Sequence, residues 1–410
     1  LYEMIISDYC KLPLSSTPHT SADGGMTAMA NRSGPLEGVM VLDFTRVLAG
    51  PYATALMADL GADVIKVEAP GGDEYRHVGP FRDGESALFQ NVNRGKRSIV
   101  LDLKAPDDLE IARALAARAD VLVENFRPGV MAKLGLGPDA LQKINPRLVY
   151  ASVSGFGQTG PNTARPAYDI IVQAMSGLMT QTGAPDGPPT MVGEAVADVA
   201  GGLFAAWGIM AALFDRERTG RGGVVDVALF DALVAMMPTA AARVLVCDQD
   251  PARTGNRHAL SAPFGVYPAG TGHFALAVLN DRLFARFCSA IGRPDLVADP
   301  RFATDSERCA HEPALAEAIA GWAGGLSAAD AVAALSEAGV PASVLATARE
   351  ALLSDQAAAR ELVTSVIHPR LGPIPLPEQP VHFSGTTRGG RNAAPALNEH
   401  SLQIRAELEA

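Results

Sequence analysis

The chain has 410 residues, of which 48% are hydrophobic and 19% charged, and these values are ordinary for a folded globular protein. This length exceeds what one hydrophobic core usually serves, so we expect two compact units. The formal net charge of -11 argues against nonspecific nucleic-acid binding, which needs a surplus of Lys and Arg. The four cysteines and eight histidines are scattered. We therefore expect no metal site and no disulfides, and a reducing cytoplasm fits best.

Two segments bear on targeting and membranes. Residues 1–35 lack a basic region followed by an apolar run, so they do not form a signal peptide, and we interpret them as a disordered or non-native arm. The most apolar segment, at 199–214, is shorter than the roughly 20 residues that a membrane span needs. It predicts a buried helix and no membrane association.

Short apolar runs alternate with helical segments along the first half of the chain. Strands are predicted at 39–43, 63–68, 98–103, 121–124, 148–153 and 224–227, and helices at 49–60, 106–119, 199–217 and 230–237. This alternation predicts an α/β fold with a mostly parallel sheet. A smaller α+β unit follows, opening with a hairpin at 266–279. We divide the chain into a large domain (36–225), a linker (226–253), a small domain (254–340) and a return to the large domain (341–410).

A glycine pattern follows one predicted strand. Residues 155–160 read G-F-G-Q-T-G, which has the spacing of a dinucleotide-binding fingerprint. That fingerprint requires a helix to begin directly after it, yet Pro161 follows, and no acidic residue ends a second strand about 20 residues on. The pattern therefore favours a loop that lets the backbone approach a ligand or a neighbouring segment.

Basic residues cluster near the ends of predicted strands: Arg94, Lys96, Arg97, Lys104, Arg127 and Lys133. Ligands of doubly wound sheets bind outside the carboxyl ends of the strands. In an otherwise acidic chain, a basic cluster there predicts a phosphate-bearing ligand.

Asp198 directly precedes the predicted apolar helix, and two roles are open for it. As an N-cap it would accept a hydrogen bond from a free backbone N–H of the first turn. As a reactive carboxylate it would lie beside N–H donors able to stabilise an oxyanion. Gly201 and Gly202 would then let a bulky thioester approach.

Several blocks, taken in order, resemble the family III CoA-transferases, the group of formyl-CoA:oxalate, carnitine and bile-acid CoA-transferases. The blocks lie at 41–51, 61–68, 93–98, 123–129, 145–147, 197–202, 219–222, 254–257 and 338–341. The resemblance implies a Rossmann-like large domain, a small domain and an interlocked homodimer. It implies an acyl-CoA donor and a carboxylate acceptor, with coenzyme A entering as a substrate thioester.

The resemblance also implies roles for individual residues. Asp198 matches the family's nucleophile, which forms a mixed anhydride and then an aspartyl-CoA thioester. The positions that contact coenzyme A in the family fall on Val47, Leu48, Ala49, Leu101, Lys104, Asn125, Phe126, Arg127 and Lys133. Candidate substrate contacts are Arg46, Tyr168, Asn256, Arg257 and His258.

Departures from the family pattern bear on the substrate. Formyl-CoA:oxalate transferases have Gln where Leu48 stands, and Arg where Ala69 and Lys133 stand. Loss of the Gln removes a polar partner beside the acyl group, which argues against formyl and oxalate. We expect small, dicarboxylic acids, with succinyl-CoA as a plausible donor.

Two alternatives remain. Alpha-methylacyl-CoA racemases share the fold but use a His where this chain has Tyr168, before Asp169. A tyrosine, with an ordinary pKa near 10, is a poor acid–base partner at neutral pH. The other alternative is a CoA-binding protein without catalysis.

Overall fold

The computed structural model describes residues 34–386 and 391–410. The arm predicted at 1–35 therefore falls almost wholly outside the described residues.

Six parallel strands form the main sheet, in the order β5-β2-β1-β6-β7-β8. They are β1 (Met40–Asp43), β2 (Asp63–Glu68), β5 (Arg97–Val100), β6 (Val121–Glu124), β7 (Val149–Ser154) and β8 (Val224–Ala228), with β3 (Phe81–Arg82) and β4 (Glu85–Ser86) forming a small hairpin apart. The prediction of a mostly parallel α/β sheet is confirmed. Because the chain leaves β1 in one direction to β2 and later returns to β6 on its other side, the sheet has a switch point between β1 and β6.

Helices cover both faces of this sheet. They are α1 (Ala49–Asp59), α2 (Ala87–Val92), α3 (Pro106–Arg118), α4 (Val130–Lys133), α5 (Pro138–Ile144), α6 (Asp169–Ser176), α7 (Leu178–Gln181), α8 (Val196–Thr219), α9 (Leu229–Ala235) and α10 (Pro238–Cys247), with a 3-10 turn at Glu74–His77. Helices α1, α8 and α9 bury their apolar side chains against one face, while α3 and α5 cover the other. The sheet is therefore buried on both sides, which explains its nearly continuous apolar strands.

A second core is built from later residues. It contains β9 (Phe264–Pro268), β10 (His273–Ala277), β11 (Ala342–Val344), α11 (Asp281–Ala290), α12 (Asp305–Ala310), α13 (Glu312–Ala323) and α14 (Ala328–Glu337), with 3-10 turns at Pro294–Val297 and Pro300–Phe302. The strands form an antiparallel sheet in the order β11-β10-β9. Phe274 of β10 and Phe287 of α11 are both buried in the core that the sheet shares with the helices. This unit is α+β, as its sequence indicates.

The C-terminal segment packs back onto the first unit. After α15 (Ala348–Leu352), α16 (Asp355–Ala359) and the hairpin of β12 (Val363–His368) and β13 (Gly372–Pro377), the chain ends in α17 (Ser401–Glu409). His400 donates its backbone N–H to Ser98 O, and Ile404 is fully buried in the same core as α3. The large unit is thus assembled from both ends of the described chain.

The segment predicted as a linker begins inside the large unit. Leu229 and Leu233 of α9 are buried in the core that α1 and α8 share, so this part of 226–253 is not a free connection. Helix α8 is long and apolar enough to cross a membrane by length and composition alone. Its buried face, however, includes Ala205 and Ile209 of that same core, which is how a core helix of a globular unit packs.

Candidate active site

A cavity of about 200 Å³ lies at the switch point of the sheet, beyond the carboxyl ends of β1, β6 and β7. This is where an open parallel sheet is expected to hold a ligand. The lining residues come from the ends of these strands and the turns after them, from the 3-10 turn that follows β2, from the loop before α6 and from the starts of α1, α8 and α9. They are Arg46, Val47, Leu48, Ala49, Glu74, Asn125, Phe126, Arg127, Pro128, Val153, Ser154, Gly155, Thr163, Arg165, Pro166, Ala167, Tyr168, Asp198 and Leu229.

Much of the predicted site is brought together here. The candidate nucleophile shares the cavity with most of the positions expected to contact coenzyme A and with two of the expected substrate contacts. These residues are Asp198; Val47, Leu48, Ala49, Asn125, Phe126 and Arg127; and Arg46 and Tyr168. They are separated by up to 152 positions along the chain, and the parallel sheet places them side by side.

Asp198 is not the N-cap of its helix, so that interpretation is wrong. Helix α8 begins at Val196, and Ala195 occupies the cap position without a side-chain hydrogen bond. Asp198 therefore lies in the first turn. The capping bond comes from Asp169 instead, whose Oδ1 accepts the backbone N–H of Ala197 at 2.7 Å. Gln173 donates to the other oxygen of Asp169 at 2.7 Å, so both oxygens of Asp169 are used in local hydrogen bonds.

The carboxylate of Asp198 is left without a polar partner. Within the described part of the chain, no hydrogen bond or ion pair reaches it, although its side chain faces the cavity. Burial, and then the nearby negative charge of Asp169, raise its pKa from 3.8 to about 7. A carboxylate that is largely desolvated and unpaired is more reactive toward an electrophile than one held in a salt bridge.

The turn after β1 forms the opposite wall and is held in place by its neighbours. Asn125 accepts the backbone N–H of Arg46 at 3.0 Å and donates to Arg46 O at 2.7 Å. The side chain of Arg46 pairs with Glu74 at 2.7 Å and lies over the ring of Phe126. At the end of β6, Glu124 accepts the N–H of Phe126 at 2.8 Å, which fixes the next turn.

Three basic residues predicted to bind the ligand are placed elsewhere. Residues 93–96 precede β5 and Arg97 begins it, so these residues lie at the amino end of that strand or inside the core. Arg94 pairs with Asp59 at 2.5 Å with both side chains buried. Arg97 pairs with Asp63 and Glu407. These charges are compensated within the fold, which corrects the expectation that they face the ligand.

Lys96 is the third of these residues, and it is fully buried. Its Nζ donates to Asp43 at 2.8 Å, to Pro51 O at 3.0 Å and to Asn93 Oδ1 at 2.9 Å. Burial alone would raise the pKa of Asp43, but Lys96 and Lys66 outweigh it and lower the pKa to about 2. Lys96 therefore acts as a buried counter-ion beneath the site.

Other predicted contacts do not line the cavity. Leu101 is buried in the core beneath the sheet, whereas Lys104 and Lys133 are exposed beyond the cavity. Of the small-unit residues, Arg257 pairs with the buried Glu312, and His258 stacks on Phe264 with ring centroids 4.6 Å apart. Asn256 is exposed and its carbonyl accepts from Val266 N–H. The described chain does not bring these residues into the cavity.

Gly201 and Gly202 serve helix packing, which corrects the expectation that they admit a thioester. Both are buried. A Cβ at Gly202 would lie 2.6 Å from Ala49 O, and one at Gly201 would lie 2.2 Å from a methyl group of Leu229. The glycines allow α8 to approach α1 and α9, and this approach brings Asp198 to the turn after β1.

Several lining residues escaped the sequence reasoning. Gly155, Thr163 and Arg165 belong to the glycine-rich loop, whose prediction as a loop is confirmed because the next helix begins only at Asp169. Gly155 is needed where the loop doubles back, since its Cβ would lie 2.3 Å from the Cβ of Ala167. The available signal was position: this loop follows β7 at the carboxyl edge, where ligands bind.

Among the described residues, no group of three or more His, Cys, Asp or Glu could hold a metal ion. Cys247, Cys288 and Cys309 are free thiols.

Comparison with known proteins connects this chain to a family and an activity. The sequence model of CoA-transferase family III matches residues 36–401 of this chain. An acetyl-CoA:oxalate CoA-transferase of Acetobacter aceti is 45% identical over 387 residues, covering 94% of this chain and 98% of the relative. A succinate–glutarate CoA-transferase of Agrobacterium fabrum is 40% identical over 392 residues, covering 94% and 98%.

The solved structures agree with the sequences. A CaiB/BaiF family protein from Brucella suis superposes with a TM-score of 0.82 at 38% identity, covering 92% of this chain and all of that one. The fold and the switch-point cavity are thus those of an α/β enzyme. The chain belongs to CoA-transferase family III, and it is a CoA-transferase.

Proposed function

We propose that this enzyme moves coenzyme A between small, dicarboxylic acids, with Asp198 as the covalent carrier. One observation supports the proposal most directly. The Asp198 carboxylate opens into the cavity that Val47, Leu48, Ala49 and Arg127 also line, and within the described residues it has no hydrogen bond or ion pair. A structural aspartate in the first turn of a helix would normally bond to the free N–H groups there.

The proposed reaction has four steps, each forming and breaking one acyl bond. The Asp198 oxygen attacks the donor thioester, the C–S bond breaks, and a mixed anhydride and CoA thiolate result. The thiolate attacks the aspartyl carbonyl, which releases the donor acid and leaves an aspartyl-CoA thioester. The acceptor carboxylate attacks this thioester and expels CoA thiolate again. The thiolate then attacks the acceptor acyl group and frees Asp198.

The cavity supplies groups that suit such a carbonyl reaction. Ala49 opens helix α1 at the cavity wall, and the first N–H groups of a helix have no partner within the helix. Such N–H donors, aided by the helix dipole, stabilise the negative oxygen of a tetrahedral intermediate. Arg127 is exposed at the cavity and offers a guanidinium to the phosphates of coenzyme A.

The substrate class rests on the relatives. The two described above are named for oxalate and for succinate and glutarate, which are all dicarboxylic acids. The expectation against oxalate, drawn from Leu48, therefore does not remove it from the candidates. The test is a panel of acetyl-CoA and succinyl-CoA as donors with oxalate, succinate, glutarate and butyrate as acceptors. We expect the rate of CoA transfer to each dicarboxylate to exceed the rate of transfer to butyrate.

We also propose that the enzyme acts as a homodimer, interlocked as in its family, in the cytoplasm. Helix α8 supports the dimer because it exposes Leu203, Trp207 and Phe214 along one side, with Trp207 66% and Phe214 69% exposed. Leu245 and Val246 of α10 are more than 80% exposed. Apolar surface of this extent usually marks an interface. Sedimentation velocity should give a mass of two chains.

The decisive experiment replaces the carrier. Asp198→Ala and Asp198→Asn should abolish CoA transfer while retaining the native fold by circular dichroism. Hydroxylamine added during turnover of the native enzyme should convert Asp198 to a hydroxamate, detected by peptide mass spectrometry. Transfer at the native rate by Asp198→Ala would refute the covalent mechanism. Solvent hydrogen exchange at the donor's α carbon, without any acceptor, would support racemisation instead.

A further inference from the structure

Val47 has an unusual backbone at the wall of the active site. Its φ is +69°, in the left-handed region, and it is β-branched. Left-handed conformations are unfavourable for β-branched residues because Cβ collides with the backbone, and they persist only where the surroundings enforce them. Because Val47 lines the cavity beside Leu48 and Ala49, this strained turn determines the shape of the wall that faces Asp198.

A buried carboxylate holds this turn. Asp73 Oδ1 accepts the backbone N–H of Val47 at 3.1 Å and that of Tyr75 at 3.0 Å. Its other oxygen, Oδ2, accepts from Lys66 Nζ at 2.8 Å. Asp73 is thus the link between the strained turn and a lysine that comes from the middle of β2.

Lys66 holds the same turn from its other end. Its Nζ donates at 2.9 Å to the carbonyl of Thr45, two residues before Val47. Thr45 is itself held by Asp43, which accepts both its N–H at 2.8 Å and its hydroxyl at 2.5 Å. Residues 45–47 are therefore attached at both ends to charges inside the protein.

These charges are removed from water. The side chains of Lys66 and Asp73 are 0% and 1% exposed. Removing one partner of such a pair leaves an uncompensated buried charge, so the fold retains both. Surface ion pairs are flexible, whereas a buried and fully bonded pair fixes the atoms that bond to it. The pair can therefore impose a conformation that Val47 would not adopt alone.

We infer that Lys66 and Asp73 are positioning residues for the donor thioester: they hold Val47 in its left-handed conformation so that the 46–49 turn binds coenzyme A opposite Asp198. The inference rests on the proposed function only for where coenzyme A binds, and not on the covalent role of Asp198. Neither residue lines the cavity. Their effect passes through the backbone of the turn, and it concerns the CoA donor rather than the acceptor acid.

The test compares this role with that of a second paired carboxylate elsewhere in the fold. Asp120 resembles Asp73 in its partners, since its Oδ2 accepts the N–H of Met40 at 2.9 Å and its Oδ1 pairs with Arg216 at 3.0 Å. It lies at the amino ends of β1 and β6, and its side chain is 30% exposed, whereas that of Asp73 is buried. Asp73→Asn and Asp120→Asn are compared in the full-length enzyme. The readouts are the Kd for free coenzyme A by calorimetry and the KM of each substrate.

We expect Asp73→Asn to raise the Kd for free coenzyme A and the KM for acyl-CoA by about tenfold, with the acceptor KM within about twofold. Asp120→Asn should leave the Kd for free coenzyme A and the KM values of both substrates unchanged. Adding Val47→Gly to Asp73→Asn should recover much of the lost affinity, because glycine adopts a positive φ without strain. Adding Val47→Ala should not recover the affinity, although alanine differs from glycine by only one methyl group.

Two results would overturn the inference: equal Kd values for Asp73→Asn and Asp120→Asn, or equal recovery by glycine and alanine at position 47. Should Asp73→Asn not fold, the single variants Val47→Gly and Val47→Ala are compared in the otherwise native enzyme. Val47→Gly must then have the higher Tm, because glycine relieves the strain of the left-handed conformation. The calorimetric Kd does not depend on turnover. The calorimetric result can therefore be interpreted even if the covalent role proposed for Asp198 is refuted.

Discussion

Asp169 Oδ1 accepts the backbone N–H of Ala197 at 2.7 Å, one residue before the proposed nucleophile. This bond fixes the first turn of α8 and places a second carboxylate beside Asp198. Burial and the charge of Asp169 together raise the pKa of Asp198 to about 7. The residue that caps the helix thus also influences the charge state of the residue proposed to react.

The first prediction concerns the pH dependence of the rate. In the proposed mechanism only ionised Asp198 attacks, so kcat/KM should rise with pH and level off above about pH 7. Asp169→Asn keeps an acceptor for Ala197 but removes a negative charge, so the pKa of Asp198 falls and the rise moves to lower pH. Steady-state rates between pH 5 and 9 measure this shift.

The exposed Asp139 on α5 supplies the control for charge removal, since it lies away from the cavity. Asp139→Asn should leave the pH dependence of kcat/KM unchanged. A profile of Asp169→Asn that coincides with that of the native enzyme would contradict the proposed coupling.

The second prediction is that the nucleophile destabilises the fold. A carboxyl group with a raised pKa contributes stability below its unfolded pKa of 3.8 and loses it as pH rises through about 7. Asp198→Asn removes the buried charge and should therefore be more stable than the native enzyme at pH 8, by about 2 to 4 kcal/mol. Thermal unfolding at pH 5 and pH 8 should show the Tm difference widening with pH. A difference independent of pH would be inconsistent with a buried, ionising Asp198.

The third prediction distinguishes two arginines that the sequence treats alike. Arg127 lines the cavity, and no salt bridge to its side chain occurs in the portion of the chain that the structure describes. Arg97 is paired with Asp63 and Glu407. Arg127→Gln should raise the KM for acyl-CoA about tenfold, which corresponds to about 1.4 kcal/mol. Arg97→Gln should leave this KM unchanged, and equal effects would restore the prediction that both bind coenzyme A.

The fourth prediction tests the contact between α8 and α1. A Cβ at Gly202 would lie 2.6 Å from the backbone oxygen of Ala49, and a backbone atom cannot move aside cheaply. Gly202→Ala should reduce the free energy of unfolding by about 1 to 3 kcal/mol and lower kcat/KM, because Ala49 is part of the cavity wall.

Gly321 provides the comparison within a helix. It lies in α13, and its Cβ would meet nothing within 4 Å. Gly321→Ala should be neutral or stabilising by up to about 1 kcal/mol, from helix propensity. Denaturant unfolding measures both variants, and a Gly202→Ala protein as stable as Gly321→Ala would contradict the close packing.

Local pattern was sufficient for most of the fold. The strand predicted at 121–124 is observed at Val121–Glu124, and that predicted at 63–68 at Asp63–Glu68. Short runs rich in β-branched residues and bounded by turns favour strands, and their alternation with helical segments favours a sheet covered on both faces. The helix predicted to start at 199 begins at Val196 instead, because its capping bond comes from Asp169 on another helix.

The candidate site was predictable where it followed strand ends. Leu48 and Arg127 were chosen by resemblance, and they share the cavity with Asp198 because β1 and β6 are adjacent. Lys96 was misplaced because its role depends on Asp43, 53 residues away. The residues next to Lys96 in the chain do not indicate that it pairs with a buried carboxylate.

The sequence by itself determined the α/β class and the order of the strands along the chain, since these follow from periodicity and composition. The resemblance to a family added the proposal that Asp198 carries the acyl group. Only the tertiary structure decided which charges face the cavity and which neutralise each other inside the protein. The physical reason is that the state of a side chain depends on its partners in space. The pair of Lys66 and Asp73, buried beneath a strained Val47, exists only once the strands are side by side.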